Sequence, residues 1–107
     1  MTGELATLVG AKKRAFISRH LERCGYLRVD VVEEEGALQL LARFTLDKAR
    51  TWHRAEARLP LSAIGEAGIG PYLDRAFHEL DDGVEMARLA HLFSPMTAAR
   101  RIGFGRR

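Results

Sequence analysis

The chain has 107 residues, 47% of them hydrophobic and 29% charged, a mixture and length that suit one globular domain able to bury a core without metal or disulfide staples. Its single cysteine, Cys24, excludes an intramolecular disulfide and fits a reducing compartment. The net charge of +3 points less to nucleic acid than it first suggests: residues 97–107 carry four arginines and no acid, leaving 13 basic against 14 acidic side chains in residues 1–99.

In chain order, the opening MTGELATLVGAKKRAF places its apolar stretch before its basic cluster, the reverse of a signal peptide, so a cytoplasmic chain is expected. Residues 4–24 contain no proline, and at about 100° per residue Leu5, Ala6, Val9, Phe16, Ile17 and Cys24 gather on one face. The spacing predicts a helix, weakened in its middle by Gly10 and closed by Gly25. The segments YLRVDVVEE and ALQLLARFTL then alternate apolar and polar residues, the pattern of half-buried strands. With Glu35-Gly36 as a two-residue turn, Val31 opposes Leu40, Val29 opposes Ala42 and Leu27 opposes Phe44.

A second hairpin, with residues 47–50 as its loop, brings in TWHRAEARLP. Phe44 then opposes His53, Ala42 opposes Ala55, Leu40 opposes Ala57, and Leu38 opposes Leu59. Both registers put the same side of the second strand in the core, and a one-residue slip would break either. Residues 60–70 are glycine-rich and predict a connection with a helical turn over residues 62–65. Pro71 suits a first helical position. From there Leu73, Phe77, Leu80, Val84, Ala87 and His91 form an apolar stripe, which Asp81-Asp82-Gly83 could kink or divide and Ser94-Pro95 should end. Ala76, Gly83 and Ala90, seven apart, offer room for a closely packed helix. The expectation is α+β, in the order α-β-β-β-α: a three-stranded antiparallel meander with both helices on one face, a single domain over residues 1–96, and a flexible basic tail over 97–107.

Double-stranded RNA-binding domains share that element order. They place a lysine cluster at the start of their last helix, where this chain reads PYLDRAFHEL with Asp74 and a single Arg75, so the resemblance is confined to element order and assigns no family.

The outer sheet face carries the main functional expectation. The registers set Arg43 between Arg28 and Arg54, Arg58 opposite Gln39, and Leu41 between Asp30 and Glu56, with Tyr26, Thr45 and Trp52 aligned at one end. Arginines beside aromatics suit a single-stranded nucleic acid or RNA, whereas Leu41 and Trp52 suit a protein contact such as a homodimer through the sheet. Arginines pairing with Asp30 and Glu56 on a solvated face are the plain alternative. Arg100, Arg101, Arg106 and Arg107 extend the basic surface into the tail. Lys12, Arg19 and Arg23 line one edge of the first helix, and Asp74, Asp81 and Glu85 one ridge of the last, a ridge able to receive the tail. His20, Cys24, His53 and His91 converge at one end of the core if the last helix runs back along the sheet; such a set could hold zinc or form a Cys/His nucleophile.

No Walker loop, Rossmann fingerprint, GxSxG or HExxH occurs, so no catalytic residue, cofactor or small-molecule substrate is expected, nor a membrane span. The expectation is a non-enzymatic binding protein acting through its sheet face and tail. A protein partner or a second copy ranks ahead of nucleic acid because the body of the chain is not basic; metal binding or Cys/His catalysis ranks third.

Overall fold

A computed structural model of the chain describes residues 3–46 and 51–93. Helix α1 (Gly3–His20) leads through a 3-10 turn (Leu21–Arg23) into strands β1 (Leu27–Glu34), β2 (Ala37–Thr45) and β3 (Trp52–Pro60). A second 3-10 turn (Leu61–Ala63) precedes helix α2 (Ile69–Leu92). The strands form one antiparallel sheet in the order β1-β2-β3. Helix and meander therefore follow the expected order. The loop predicted over 47–50, the stop at Ser94-Pro95 and the tail over 97–107 lie outside the described residues.

Both predicted registers are present, Leu27 opposite Phe44 and Phe44 opposite His53 among them. The first is set by the Glu35-Gly36 turn, in which both residues adopt positive φ, 52° and 71°. Two consecutive positive φ values match the right-handed twist of the strands, and glycine takes the second position without a Cβ penalty. Period-two alternation then sorts the side chains. Val29, Leu38, Leu40, Ala42, Phe44, Ala55, Ala57 and Leu59 are buried under the helices, while Arg28, Arg43, Arg54, Glu56 and Arg58 are exposed on the other side.

Four predicted details differ. The regular helix stops at His20 and the chain tightens into the 3-10 turn, leaving Cys24 extended rather than helical. The turn after β3 spans Leu61–Ala63, beginning one residue and ending two residues earlier than predicted. Helix α2 starts at Ile69, so Pro71 is its third residue; first-turn amides have no intrahelical acceptor, and proline costs nothing there either. Finally, Asp81-Asp82-Gly83 does not divide α2, which is one continuous helix. Gly83 instead lets α2 approach the sheet: a Cβ at this position would stand 2.9 Å from the Ala55 Cβ. Of the three small residues seven apart, Ala76 is buried, Gly83 meets a strand, and Ala90 is exposed, so they do not form a helix–helix seam.

Helix α2 lies over β3 and β2, and α1 over β1 and beside α2. Phe16 of α1 and Phe77 of α2 meet at the centre with ring centroids 6.1 Å apart. Tyr72 fastens the start of α2 to the end of β3 by donating its hydroxyl to the Leu59 carbonyl at 2.6 Å. Burial raises the Tyr72 hydroxyl pKa, against a lowering contact with the Leu38 backbone. Among the described residues, no helix is long and apolar enough to cross a membrane.

Candidate functional site

With both helices on one side, the other face of the sheet is left uncovered, and its residues fall into bands across the strands. The first band holds Tyr26 and Trp52 on either side of Thr45. Their rings stack 6.1 Å apart, each more than half exposed, over a Thr45 that is fully buried. Thr45 Oγ1 accepts the Tyr26 amide at 2.9 Å, which fixes the chain where it leaves the Cys24–Gly25 corner. The second band is Arg28–Arg43–Arg54, and the third is Asp30–Leu41–Glu56. The fourth is Val32–Gln39–Arg58.

The second and third bands compensate each other. Asp30 Oδ2 takes Arg28 Nε at 3.3 Å and Arg43 Nη2 at 3.2 Å, and Arg54 pairs with Glu56. These pairs are exposed, so each contributes at most about 1 kcal/mol and exchanges readily. The plain alternative is thus present in part: two carboxylates in the next band offset the three arginines of the row, with Asp30 shared between Arg28 and Arg43. An open groove of about 490 Å³ is lined by Arg28, Arg43, Trp52, His53 and Arg54. A second, of about 360 Å³, runs past Val32, Leu41 and Arg58. Val32, 49% exposed, belongs to this face and was overlooked in the sequence, although its even number on β1 already placed it there.

The helix charges find a different use from the one expected. Lys12 pairs with Asp74, Arg19 with Asp81 at 3.1 Å and Arg23 with Glu85 at 3.2 Å. Each pair has the same sequence offset, so α1 and α2 run parallel and their edges zip together. The acidic ridge is engaged by α1, and Lys12, Arg19 and Arg23 are not a free basic edge. Arg100, Arg101, Arg106 and Arg107 lie outside the described residues.

The histidine–cysteine set separates into parts. His53 and His91 do meet, 5.6 Å between ring centroids, because α2 runs back along the sheet as expected; Phe44 stacks on His53 at 5.7 Å. His20 is held elsewhere, with its Nε2 2.6 Å from Asp81 Oδ1 and its ring 4.6 Å from Phe16. His53 Nε2 is buried without a hydrogen-bond partner, as is His20 Nδ1. Burial raises the Cys24 thiol pKa, with Arg88 opposing weakly, and a thiol held protonated is a poor nucleophile and a poor metal ligand. Among the described residues, no group of three or more His, Cys, Asp or Glu is placed to hold a metal ion.

The arrangement can therefore offer contact area, exchangeable ion pairs and a stacked aromatic pair. Comparison with protein-family models, with curated proteins and with solved structures finds no match for this chain.

Proposed function

We propose that this chain is a small binding protein whose working surface is the outer face of its sheet and whose occupant is a protein. The observation that carries this reading is the uncovered apolar content of that face. Tyr26, Val32 and Trp52 are 59%, 49% and 58% exposed, with Leu41 between them on the central strand. Large side chains grouped on one uncovered face favour a docking surface over a merely solvated one. Each arginine of the Arg28–Arg43–Arg54 row is already engaged by Asp30 or Glu56, and a binder of polyanions is better served by arginines that carboxylates have not claimed.

The test is binding by the double variant Leu41→Ser/Trp52→Ser, compared with the parent chain by sedimentation and by capture on an immobilised parent chain. Loss of association in the variant supports the reading; unchanged association in a folded variant removes it. A gel shift with single-stranded RNA that weakens when Arg43 and Arg54 become alanine would replace the protein occupant with nucleic acid.

A further inference from the structure

We infer that the outer sheet face is built to receive a second copy of itself, with the strands of the two copies antiparallel and a two-fold axis crossing them between the Arg43 and Leu41 bands. This inference rests on the binding reading above and names its occupant. A face that binds itself about a two-fold axis must be complementary to its own rotated image. For stacked sheets the axis lies in the plane between them, which leaves two simple orientations.

An axis along the strands keeps every band over itself and exchanges β1 with β3. Arg28 then lies over Arg54, and Asp30 over Glu56, of the second copy, so both charged bands repel. An axis across the strands keeps each strand over itself and reverses the order of the bands. Centred between the second and third bands, it lays Arg28 over Asp30 and Arg54 over Glu56 of the second copy, and each contact recurs by symmetry. The outer bands match as well. Tyr26 lies over Val32, an apolar contact, and Trp52 lies over Arg58, whose guanidinium can stack on the indole. At the centre, the Arg43 stem crosses Leu41.

Four features support this orientation together: two charge pairs, one cation–aromatic pair and one apolar pair, all from residues more than a third exposed in the single copy. The intramolecular pairs Arg28–Asp30 and Arg54–Glu56 run between adjacent bands of one strand, so they exchange for equivalent pairs across the interface with little lost. Strand rise and spacing give a footprint of about 30 Å by about 14 Å, with the sheets about 10 Å apart. That is about 420 Å² per copy, below the size of stable interfaces and in the range of weak, transient ones, so association should be concentration-dependent at micromolar concentrations and above.

The experiment uses the full chain in sedimentation velocity from about 1 to about 100 µM, with the variants R54E, E56R and R28E. Alone, R54E and E56R each set like charges against the second copy, and each should weaken self-association by about tenfold or more. Mixed in equal amounts, R54E and E56R have opposite charges facing at both symmetry-related contacts and should recover parent affinity. Mixing R28E with E56R gives the same net charges without a facing partner and should not. All three sites are exposed; circular dichroism verifies folding, and R28E with D30R provides a second matched pair should one variant misfold. A parent chain monomeric at the highest concentration, a dimer indifferent to R54E and E56R, or rescue by the mismatched mixture each overturns the second-copy inference. If the parent stays monomeric while an immobilised chain retains a protein that Leu41→Ser/Trp52→Ser loses, the binding face stands and only the self-recognition falls.

Discussion

Arg19 Nη2 on α1 stands 3.2 and 3.1 Å from the two carboxylate oxygens of Asp81 on α2, and the same carboxylate takes Nε2 of the neighbouring His20 at 2.6 Å. Asp81 therefore joins two helices through one exposed cation and one buried imidazole. Asp81→Ala removes both contacts and leaves His20, only 5% exposed, without its partner. The expected loss is about 2 kcal/mol in urea unfolding. Lys12→Ala, at the exposed end of the same row, should cost less than about 0.5 kcal/mol. Equal losses would contradict the view that His20 makes Asp81 the strong point of the seam.

The seam also shows what the sequence made legible. The basic and acidic rows, with identical spacings of seven and four, were visible in the chain. What could not be read was that they face each other, because the parallel packing of α1 on α2 is decided by the sheet between them in sequence. The meander registers were readable because period-two alternation and the Glu35-Gly36 turn are local and reinforce each other. The bands of the outer face followed from those registers. The pairing of the arginine row with Asp30 and Glu56 was legible as the plain alternative, because the registers set those carboxylates in the neighbouring band. Missing was the separation of His20 from His53 and His91. That separation arises because α1 ends four residues before Cys24 and aims His20 at Asp81.

Gly83 read as a possible break in α2, and its contact with Ala55 gives it the opposite role. Gly83→Ala adds helix propensity worth about 1 kcal/mol but drives a methyl into a packed strand, which costs about 1–3 kcal/mol. A net destabilisation is expected in thermal unfolding. The same change in an Ala55→Gly background should cost less, because the opposing methyl is gone. An additive pair would show that the close approach is not the cause.

Cys24 should be slow to alkylate at neutral pH, because burial holds its thiol protonated. The same burial makes stability depend on pH. Above the ordinary thiol value of 9.0 the unfolded chain releases a proton that the folded chain retains, so folding stability falls as pH rises past it. Tyr72 adds to the fall above its ordinary value of 10.0. Urea midpoints at about pH 7 and about pH 9.5 should differ, and Cys24→Ala should reduce the difference. Rapid alkylation at pH 7 would contradict a buried thiol.

His53→Phe should leave the melting temperature unchanged or raise it by a few degrees. The replacement keeps an aromatic ring beside Phe44 and removes a buried Nε2 that has no hydrogen-bond partner. Zinc added to the parent chain should not raise its melting temperature, since the His53–His91 contact supplies two imidazoles and no third ligand among the described residues. A zinc-dependent rise lost in His53→Phe would restore the metal reading.

Trp52 is the only tryptophan in the chain and sits on the outer face, 58% exposed, so its fluorescence reports directly on whether that face is the binding surface. Raising the concentration of the full chain from about 1 to about 100 µM is expected to shift its emission to the blue and protect it from acrylamide, in step with the dimer fraction seen by sedimentation. Association with Trp52 still fully accessible to the quencher would place the contact elsewhere on the molecule and contradict the account.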